Sequence, residues 1–217
     1  DIDFFNSNKI AQSNKTLIRK ELNIDETETV FIYTGGIGTW YCLDEMMQFF
    51  KTYHAQNSAS KFAIITTENP TVIFSCAKRN GVDGSLIRVT ESPRSKMPQY
   101  LAAADLALFF ILPSFSKTAS SPTKQGEMMA MQLPIICNDN VGDTGLVIRK
   151  YKAGWVVNNF TANEFQNAAK EIITNPISGS AEIRKGAEEF YGLKNGVEAY
   201  WKIYNSILQQ KGVDLHI

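Results

Sequence analysis

Six short apolar runs, separated from one another by segments with helical periodicity, constrain the fold of this chain more than any other feature. They are rich in β-branched and aromatic residues and nearly continuous in hydrophobicity, as expected for strands buried on both faces. Such strands need helices on both sides of a parallel sheet, joined by right-handed crossovers. The sequence therefore predicts a doubly wound α/β domain with a Rossmann-like parallel sheet. The predicted strands cover residues 30–36, 61–68, 85–91, 106–112, 134–139 and 154–159.

The segments between the strands predict helices, and the chain becomes wholly helical after the last strand. Residues 6–28 have the most linker-like composition, and the sequence contains no internal repeat and no low-complexity tract. All residues from 1 to 217 are therefore assigned to a single domain. The predicted helices cover residues 43–54, 72–81, 97–105, 123–132, 144–152, 161–174, 180–192 and 196–210.

The composition excludes a disordered chain and gives no sign of a nucleic-acid-binding protein. A hydrophobic fraction of 44%, with 11% aromatic residues, supports a substantial core for a chain of 217 residues. The 22 basic residues balance the 22 acidic ones, so the net charge creates no field that would recruit nucleic acid or an anionic membrane surface. Any recognition of an anion must therefore be local.

The longest apolar run, at residues 106–112, is far too short to cross a bilayer. No transmembrane segment is predicted, and a peripheral association with a membrane stays open. The cysteines Cys42, Cys76 and Cys137 lie far apart among apolar residues, which predicts buried free thiols in a reducing, cytoplasmic compartment. Because the chain has only 2 histidines and no clustered cysteines, no metal site is predicted.

Ligands of doubly wound sheets bind outside the carboxyl ends of the strands, which directs attention to the loops there. The loop after the first strand contains Gly35, Gly36 and Gly38. Glycine adopts positive φ angles readily and lets backbone N–H groups approach an anion at a helix start. The loop is not a G-x-G-x-x-G fingerprint, because Tyr41 occupies the third glycine position, and the sequence has no P-loop. The alternative is a glycine-rich turn that binds nothing.

A long polar loop after the fourth strand leads into the helix predicted at residues 123–132, with Ser121 and Thr123 as candidate N-caps. Cations are disfavoured at a helix N-terminus, so Lys124 predicts an anion there, such as a phosphate. Glu127 lies on the same helix face, where its carboxylate can accept hydrogen bonds from sugar hydroxyls. The alternative is an exposed Lys124–Glu127 pair worth a few tenths of a kcal/mol.

The segment PTKQGEMMAMQLPIICNDNVGDTGLVIRKYKAGWVV, from Pro122 onward, resembles the donor-site segment of the retaining GT-B glycosyltransferases of family 4, also called group 1. In that family a helix led by a glutamate runs into a Gly-Leu-Pro-Val-type strand and later a Gly-Leu-Leu-Val strand. Here these positions hold Glu127, residues 132–135 and residues 154–157. DIDFF, YTGGIG and YLAAADLALFFILPS resemble further family segments in the same order. The resemblance covers nearly the whole chain.

Two departures from the family pattern concern charged residues. The family has a pair of glutamates separated by seven residues, and the first of these positions holds Ala119. The Arg and Lys that usually follow the first strand are also missing from residues 36–41. Lys124 can replace that lost positive charge, as in the branch of the family that carries Pro-Ser/Thr-Lys before the glutamate.

The resemblance implies the carboxyl-terminal half of a GT-B fold, in a retaining transferase that takes its sugar from a nucleoside-diphosphate sugar. Lys124 and Glu127 are the expected catalytic residues, with Lys124 on the diphosphate and Glu127 on the nucleotide ribose. Charge on the departing nucleoside diphosphate would be neutralised without a metal or cofactor. The other expected donor contacts are Gly35, Gly36, Gly38, Ser121, Thr123, Gly142 and, near the base, Val89.

The chain starts at Asp1 without an apolar signal core, so we expect a piece of a longer protein. The expected partners are the nucleotide-sugar donor and an acceptor-binding amino-terminal domain that this chain lacks, and nucleic acid is not expected. Two alternatives stay open. The chain can be a non-catalytic nucleotide-sugar-binding module, which Ala119 favours, or part of a sugar-nucleotide epimerase with the GT-B fold.

Overall fold

One sheet organises residues 1–210, the part of the chain that this computed structural model describes. Its strands are β1 (Thr29–Thr34), β2 (Ser60–Ile65), β3 (Ile87–Thr90), β4 (Leu106–Leu108), β5 (Ile135–Asn138) and β6 (Gly154–Val157). Neighbouring strands all pair in parallel, in the order β3-β2-β1-β4-β5-β6. This is the order of a doubly wound Rossmann sheet, which confirms the predicted fold class.

Helices connect the strands and follow the last one, close to the ends predicted from the sequence. Their mutual packing joins α1 to α4, α2 to α7 and α5 to α8. In the described part of the chain, none of them combines the length and hydrophobicity needed to cross a bilayer. They are α1 (Gln12–Glu21), α2 (Leu43–His54), α3 (Pro70–Arg79), α4 (Met97–Ala103), α5 (Thr123–Ala130), α6 (Thr144–Lys150), α7 (Ala162–Thr174), α8 (Ala181–Tyr191) and α9 (Leu193–Gln210).

The core lies between the sheet and these helices. Phe31 of β1 packs its ring against Phe49, Phe50 and Tyr53 of α2, with centroids 4.7 to 6.4 Å apart. The three cysteines are buried and free, as predicted. The central strands β1, β2, β4 and β5 are buried almost throughout, because helices cover both faces of the sheet.

The interpretation of residues 6–28 as linker-like is wrong. Helix α1 lies inside this range, and Ile18, Leu22 and Ile24 are buried. The composition hid the helix because it has few apolar residues: Leu17 is exposed, and only the face with Ile18 is buried. That face packs against α4.

Arg19 ties α1 to the sheet. Its buried guanidinium donates hydrogen bonds to the carbonyl oxygens of Ala103 and Glu28 and to Asp105 Oδ2, at distances of 2.9 to 3.0 Å. Asp105 Oδ2 also accepts from the backbone N–H of Val30 at 2.8 Å. One side chain therefore joins α1, the end of α4 and the start of β1.

Strand β4 is shorter than predicted, because the chain after Phe109 pairs with the loop after β1 and with a side chain instead of with β5. Ile111 forms an antiparallel bridge with Tyr41. The buried amide of Asn138 accepts from the N–H of Ile111 at 2.8 Å and donates to its carbonyl at 2.9 Å. This contact directs the loop after β4 towards the loop after β1.

We expect Arg19→Ala to lower the free energy of unfolding by about 3 kcal/mol, because it leaves Asp105 and several carbonyls without their partner. Urea denaturation followed by circular dichroism measures the loss. Arg79→Ala is the matched control, since Arg79 forms an exposed pair with Asp44, and it should cost much less. Equal losses in the two variants would contradict a structural role for the Arg19 network.

Candidate functional site

Strands β1 and β4 are neighbours, but the connection after β1 leads to β2 on one side of this pair and the connection after β4 leads to β5 on the other side. The loops that follow them therefore border a crevice at the carboxyl edge, the usual ligand position in this fold. The glycine loop lies on one side and the start of α5 on the other. They are close enough that a Cβ on Gly35 would lie 3.3 Å from Nζ of Lys124.

Lys124, in the first turn of α5, is buried, with 9% of its surface exposed. Its Nζ donates a hydrogen bond to the hydroxyl of Tyr33 at 3.0 Å. The same nitrogen lies 3.7 Å from the ring centroid of Tyr41 and 4.1 Å from that of Tyr33. We call this enclosure of Nζ by Tyr33 and Tyr41 the aromatic box.

Burial lowers the pKa of Lys124 from 10.5 to about 7, while the negative charge of Glu127 acts in the opposite direction. A change of that size corresponds to roughly 5 kcal/mol, at about 1.4 kcal/mol per pKa unit. The two ring faces act in the opposite direction and favour the ammonium form by roughly 2 kcal/mol each at a site removed from water. Burial is therefore the larger effect.

Tyr33 cannot serve as an anionic partner for Lys124. Burial raises the pKa of the Tyr33 hydroxyl far above its usual value, so it stays protonated. Its proton is donated to the carbonyl of Gly36 at 2.6 Å. The box therefore encloses the amine without supplying a negative charge.

Glu127 is paired with a different residue. Its Oε1 accepts a hydrogen bond from Arg94, in the loop after β3, at 2.7 Å. The Arg94 guanidinium also lies 5.2 Å from the ring centroid of Phe5. The exposed Lys124–Glu127 pair considered as an alternative is thus replaced by two separate contacts, one buried and one at the surface.

A cavity of about 340 Å³ opens beside the Arg94–Glu127 pair. We call it the Arg94 cavity. It combines a carboxylate that can accept hydrogen bonds with apolar surface that can pack against a flat ring. Its lining residues are Asp1, Ile2, Phe5, Arg94, Thr123, Gly126, Glu127, Ala130, Tyr191 and Leu193.

A second cavity, of about 300 Å³, lies at the start of α5. We call it the Trp40 cavity. Lys117 Nζ lies over the Trp40 ring, 4.3 Å from its centroid. The cavity therefore offers aromatic faces, hydroxyls and a cation close to a helix N-terminus. Its lining residues are Trp40, Tyr41, Ile111, Lys117, Ser120, Ser121, Pro122 and Thr123.

The predicted N-cap of α5 is wrong. Pro122 occupies the N-cap position and makes no side-chain cap hydrogen bond. Ser121 precedes it, and Thr123 is already the first helical residue. Both residues line the Trp40 cavity.

The glycine loop differs in detail from the expectation. Gly35 adopts a positive φ of 113°, whereas Gly36 and Gly38 do not have positive φ. Gly35 and Gly36 line a small cavity of about 130 Å³, together with Ser92 and residues at the end of β2. A Cβ on Gly38 would meet no atom within 4 Å. Helix α2 begins only at Leu43, so the loop does not run directly into a helix.

The two remaining predicted contacts lie at the margins. Val89 is a half-buried residue of β3, paired in register with Ile64, and its role near a base stays a prediction. Gly142 has a φ of 49°, and a Cβ there would lie 1.8 Å from the carbonyl oxygen of Ser120. Gly142 thus lets the loop after β5 pack against the segment that leads to α5.

Sequence reasoning missed Tyr33, Tyr41 and Arg94. In the sequence, Tyr33 is one residue of a predicted buried strand, and Tyr41 is a departure from a glycine motif. Arg94 could have been found, because it belongs to a basic Ser-Pro-Arg-Ser-Lys stretch after the third predicted strand. The carboxyl ends of parallel strands all border the same edge of the sheet.

Comparison with known proteins identifies the family. The family model described as "Glycosyl transferases group 1" matches residues 14–190. The chain belongs to the group 1 glycosyltransferases. This confirms the resemblance seen in the sequence. A search of curated protein sequences found no significant match for this group 1 chain.

Solved glycosyltransferase structures share the fold of this group 1 chain at low identity. The C-terminal domain of LpcC, a group 1 protein from Francisella tularensis, is 13% identical with a TM-score of 0.64, and the match covers 89% of this chain and 98% of that domain. Sucrose-phosphate synthase from Thermosynechococcus elongatus is 15% identical with a TM-score of 0.71, covering 97% of this chain and 51% of that one.

HepE of Anabaena, solved in complex with UDP and glucose, is 13% identical with a TM-score of 0.73, and the match covers 95% of this chain and 55% of HepE. At such identities the likeness concerns the fold alone. This chain spans about half the length of most of these relatives, as in the match to WaaG, of which it covers 48%.

We expect Gly35→Ala to destabilise the chain by about 1 to 2 kcal/mol, because the new Cβ is strained at positive φ and presses on Lys124. Denaturant unfolding measures the effect. The matched control is Gly38→Ala, whose side chain would point into open space and should change stability by less than about 0.5 kcal/mol. A larger loss for Gly38→Ala than for Gly35→Ala would contradict this description of the loop.

Proposed function

We propose that this chain is the donor-binding half of a retaining glycosyltransferase, which binds a nucleoside-diphosphate sugar and transfers the sugar to an acceptor. The observation that carries the proposal is the position of Lys124. Its amine lies at the start of α5, beside the glycine loop, and at the switch point of the sheet. An anion in the crevice would meet a lysine and the positive end of a helix dipole together.

The diphosphate would bind between the glycine loop and the start of α5. The open space beside Gly38 leaves room for an anion to approach the backbone. Ser121 and Thr123, which border the Trp40 cavity, supply hydroxyl donors. Stabilisation of the leaving nucleoside diphosphate by these groups is the proposed catalytic contribution of this half, with no metal or cofactor involved.

Glu127 would bind the hydroxyls of the nucleotide ribose. Its carboxylate borders the Arg94 cavity and is held by the hydrogen bond from Arg94. A carboxylate accepts hydrogen bonds from two neighbouring hydroxyls well, since it has acceptors only. Arg94 orients this carboxylate while leaving its second oxygen free of that bond.

The second half of the site belongs, in this proposal, to an amino-terminal domain of the same protein. Most of the matched glycosyltransferases are about twice as long as this chain, whereas the LpcC domain is covered to 98% and is named as a C-terminal domain. The acceptor would bind to the missing domain. UDP is the first nucleotide to test, because HepE was solved with UDP and glucose. The proposed location is the cytoplasm, with peripheral association with a membrane left open.

A non-catalytic nucleotide-sugar-binding module is the second candidate. Ala119 supports it, since the family pattern has a glutamate at this position. The Trp40 cavity, where the sugar would lie next to the diphosphate, is lined by aromatic, hydroxyl and lysine side chains. Binding of the donor by the full-length protein, without transfer or hydrolysis, would favour this module, and conversion of one sugar nucleotide into another without an acceptor would favour an epimerase.

Substitution of Lys124 and Glu127 separates the two proposed contacts. Lys124→Ala should weaken binding of the nucleoside diphosphate, UDP or GDP, by on the order of 1.5 to 3 kcal/mol, because a charge-assisted hydrogen bond to phosphate is lost. It should barely affect the bare nucleoside. Glu127→Ala should weaken the nucleoside and the diphosphate by similar factors, because both contain the ribose. Calorimetric or NMR titrations measure all four affinities.

A screen of UDP, GDP, ADP and CMP against the unmodified chain comes first and fixes the nucleotide. Lys185→Ala serves as the control, since Lys185 forms an exposed pair with Glu189 on α8. Unchanged affinity in both Lys124→Ala and Glu127→Ala would remove the donor-site assignment.

The chain of residues 1–217 should bind the nucleoside diphosphate weakly yet transfer no sugar. A site between two domains offers only part of its contact surface on one of them. Radiolabelled donor with cell-derived acceptor mixtures tests transfer. Robust transfer by this chain alone would show that no second domain is required.

A further inference from the structure

The amine of Lys124 is covered by two tyrosine rings and is largely removed from water. Binding of a phosphate by a lysine does not require such burial. Tyr41 covers the amine at 3.7 Å and Tyr33 at 4.1 Å, and its hydrogen bond at 3.0 Å goes to a neutral hydroxyl. A cation held ready for an anion gains nothing from being removed from water. The loss of water around the amine outweighs the attraction of the two ring faces, and it favours the uncharged amine until a counter-charge arrives.

The charged groups around the box do not neutralise an ammonium at Lys124. On α5 itself, the carboxylate of Glu127 is bonded to Arg94 from the loop after β3. From the loop after β2, Glu68 Oε1 lies 3.9 Å from the Cβ position of Gly36, on the side of Tyr33. From β1 and the loop before α2, Tyr33 and Tyr41 present phenols. Burial raises the pKa of both phenols, so neither ionises near neutral pH.

We propose that burial in the aromatic box leaves Lys124 largely uncharged in the free protein at mildly alkaline pH, and that the donor diphosphate draws a proton from solvent onto this amine when it binds. The amine becomes an ammonium, no covalent bond is formed or broken, and the buffer supplies the proton. This inference rests on the proposed function, since it requires the diphosphate to meet Lys124. Tyr33 and Tyr41 act as positioning residues that control the charge of Lys124.

Linkage determines the sign of the effect. The free protein has a Lys124 pKa of about 7, and a bound diphosphate raises it. Below that pKa the amine is already charged, and binding takes up no proton. Above it, up to the pKa in the complex, each binding event takes up close to one proton, so affinity falls by up to about tenfold per pH unit. Recognition is therefore strongest at and below neutral pH and weakens as the pH rises.

The probe is UDP-glucose, with GDP-glucose in parallel. A free terminal phosphate loses its second proton at about pH 6. The terminal phosphate of a nucleoside-diphosphate sugar is esterified and has no such second proton to lose. Its own charge therefore stays constant over the range from about pH 6.5 to about pH 8.5, where the linkage is measured. Binding to the unmodified chain is titrated at several pH values, and calorimetry in two buffers of different ionisation enthalpy counts the protons taken up. ¹³C NMR of the lysine side chains follows the Lys124 titration directly.

The expected result for the unmodified chain has two parts. Its affinity for the probe falls steadily above about pH 7, with uptake of close to one proton per binding event near pH 8. The NMR midpoint of Lys124 lies near neutral pH in the free chain and rises when the probe is saturating.

Three variants assign the effect to the box. Lys124→Met should bind the probe more weakly and with no dependence on pH over this range. Tyr41→Ala should open the box to water, raise the midpoint of the Lys124 titration and reduce proton uptake, while Tyr41→Phe, which keeps the ring, should restore both. Lys117→Met is the matched control, since it removes the other lysine of the Trp40 cavity and should leave proton uptake unchanged.

The outcomes distinguish this inference from the proposed function. If Lys124→Met weakens binding but the unmodified chain shows no proton uptake, Lys124 meets the phosphate as a permanent cation, and the inference is wrong while the proposed function stands. If Lys124→Met leaves binding unchanged, or if neither probe binds, the diphosphate assignment fails and the inference with it. If Tyr41→Ala and Tyr41→Phe titrate alike, the box does not control the charge of Lys124.

Discussion

The contact of the Lys124 amine with Tyr33 and Tyr41 joins the two halves of the sheet across its switch point. Lys124 comes from the helix after β4, whereas the tyrosines come from β1 and the loop that follows it. The bridge between Tyr41 and Ile111 also joins the two loops that border the crevice between these strands. Because the amine is bonded to Tyr33, the start of α5 is held against the glycine loop. The geometry of the proposed diphosphate contacts depends on this position.

The charges at this edge are distributed so that Lys124 and Glu127 do not satisfy each other. They lie one turn apart on α5, where a surface ion pair would be the simplest arrangement. Arg94 instead bonds to Glu127, and the aromatic box encloses Lys124. Two polar groups therefore stay separately available to a ligand.

The fold is shared with glycosyltransferases that are only 12 to 15% identical to this chain over most of its length. This is physically reasonable, because a doubly wound sheet needs buried apolar strands and covering helices more than particular side chains. The charged residues are less constrained by the fold. Here Ala119 and the loop after β1 depart from the family pattern. The buried Lys124, with its aromatic neighbours Tyr33 and Tyr41, lies at the crevice between β1 and β4.

The sequence by itself determined the order of the strands and of the helices from α2 onward, the parallel sheet and the family, and it singled out Lys124 and Glu127 as candidate site residues, because apolar periodicity and short motifs are local signals. It did not reveal α1, whose narrow apolar face lies within a polar composition, or the early end of β4, which depends on Asn138. Only the tertiary structure decided that Lys124 is buried against Tyr33, 91 residues away, and that Glu127 pairs with Arg94, 33 residues away. Such contacts have no local signal, since burial, and with it the pKa of Lys124, is set by which distant elements pack together.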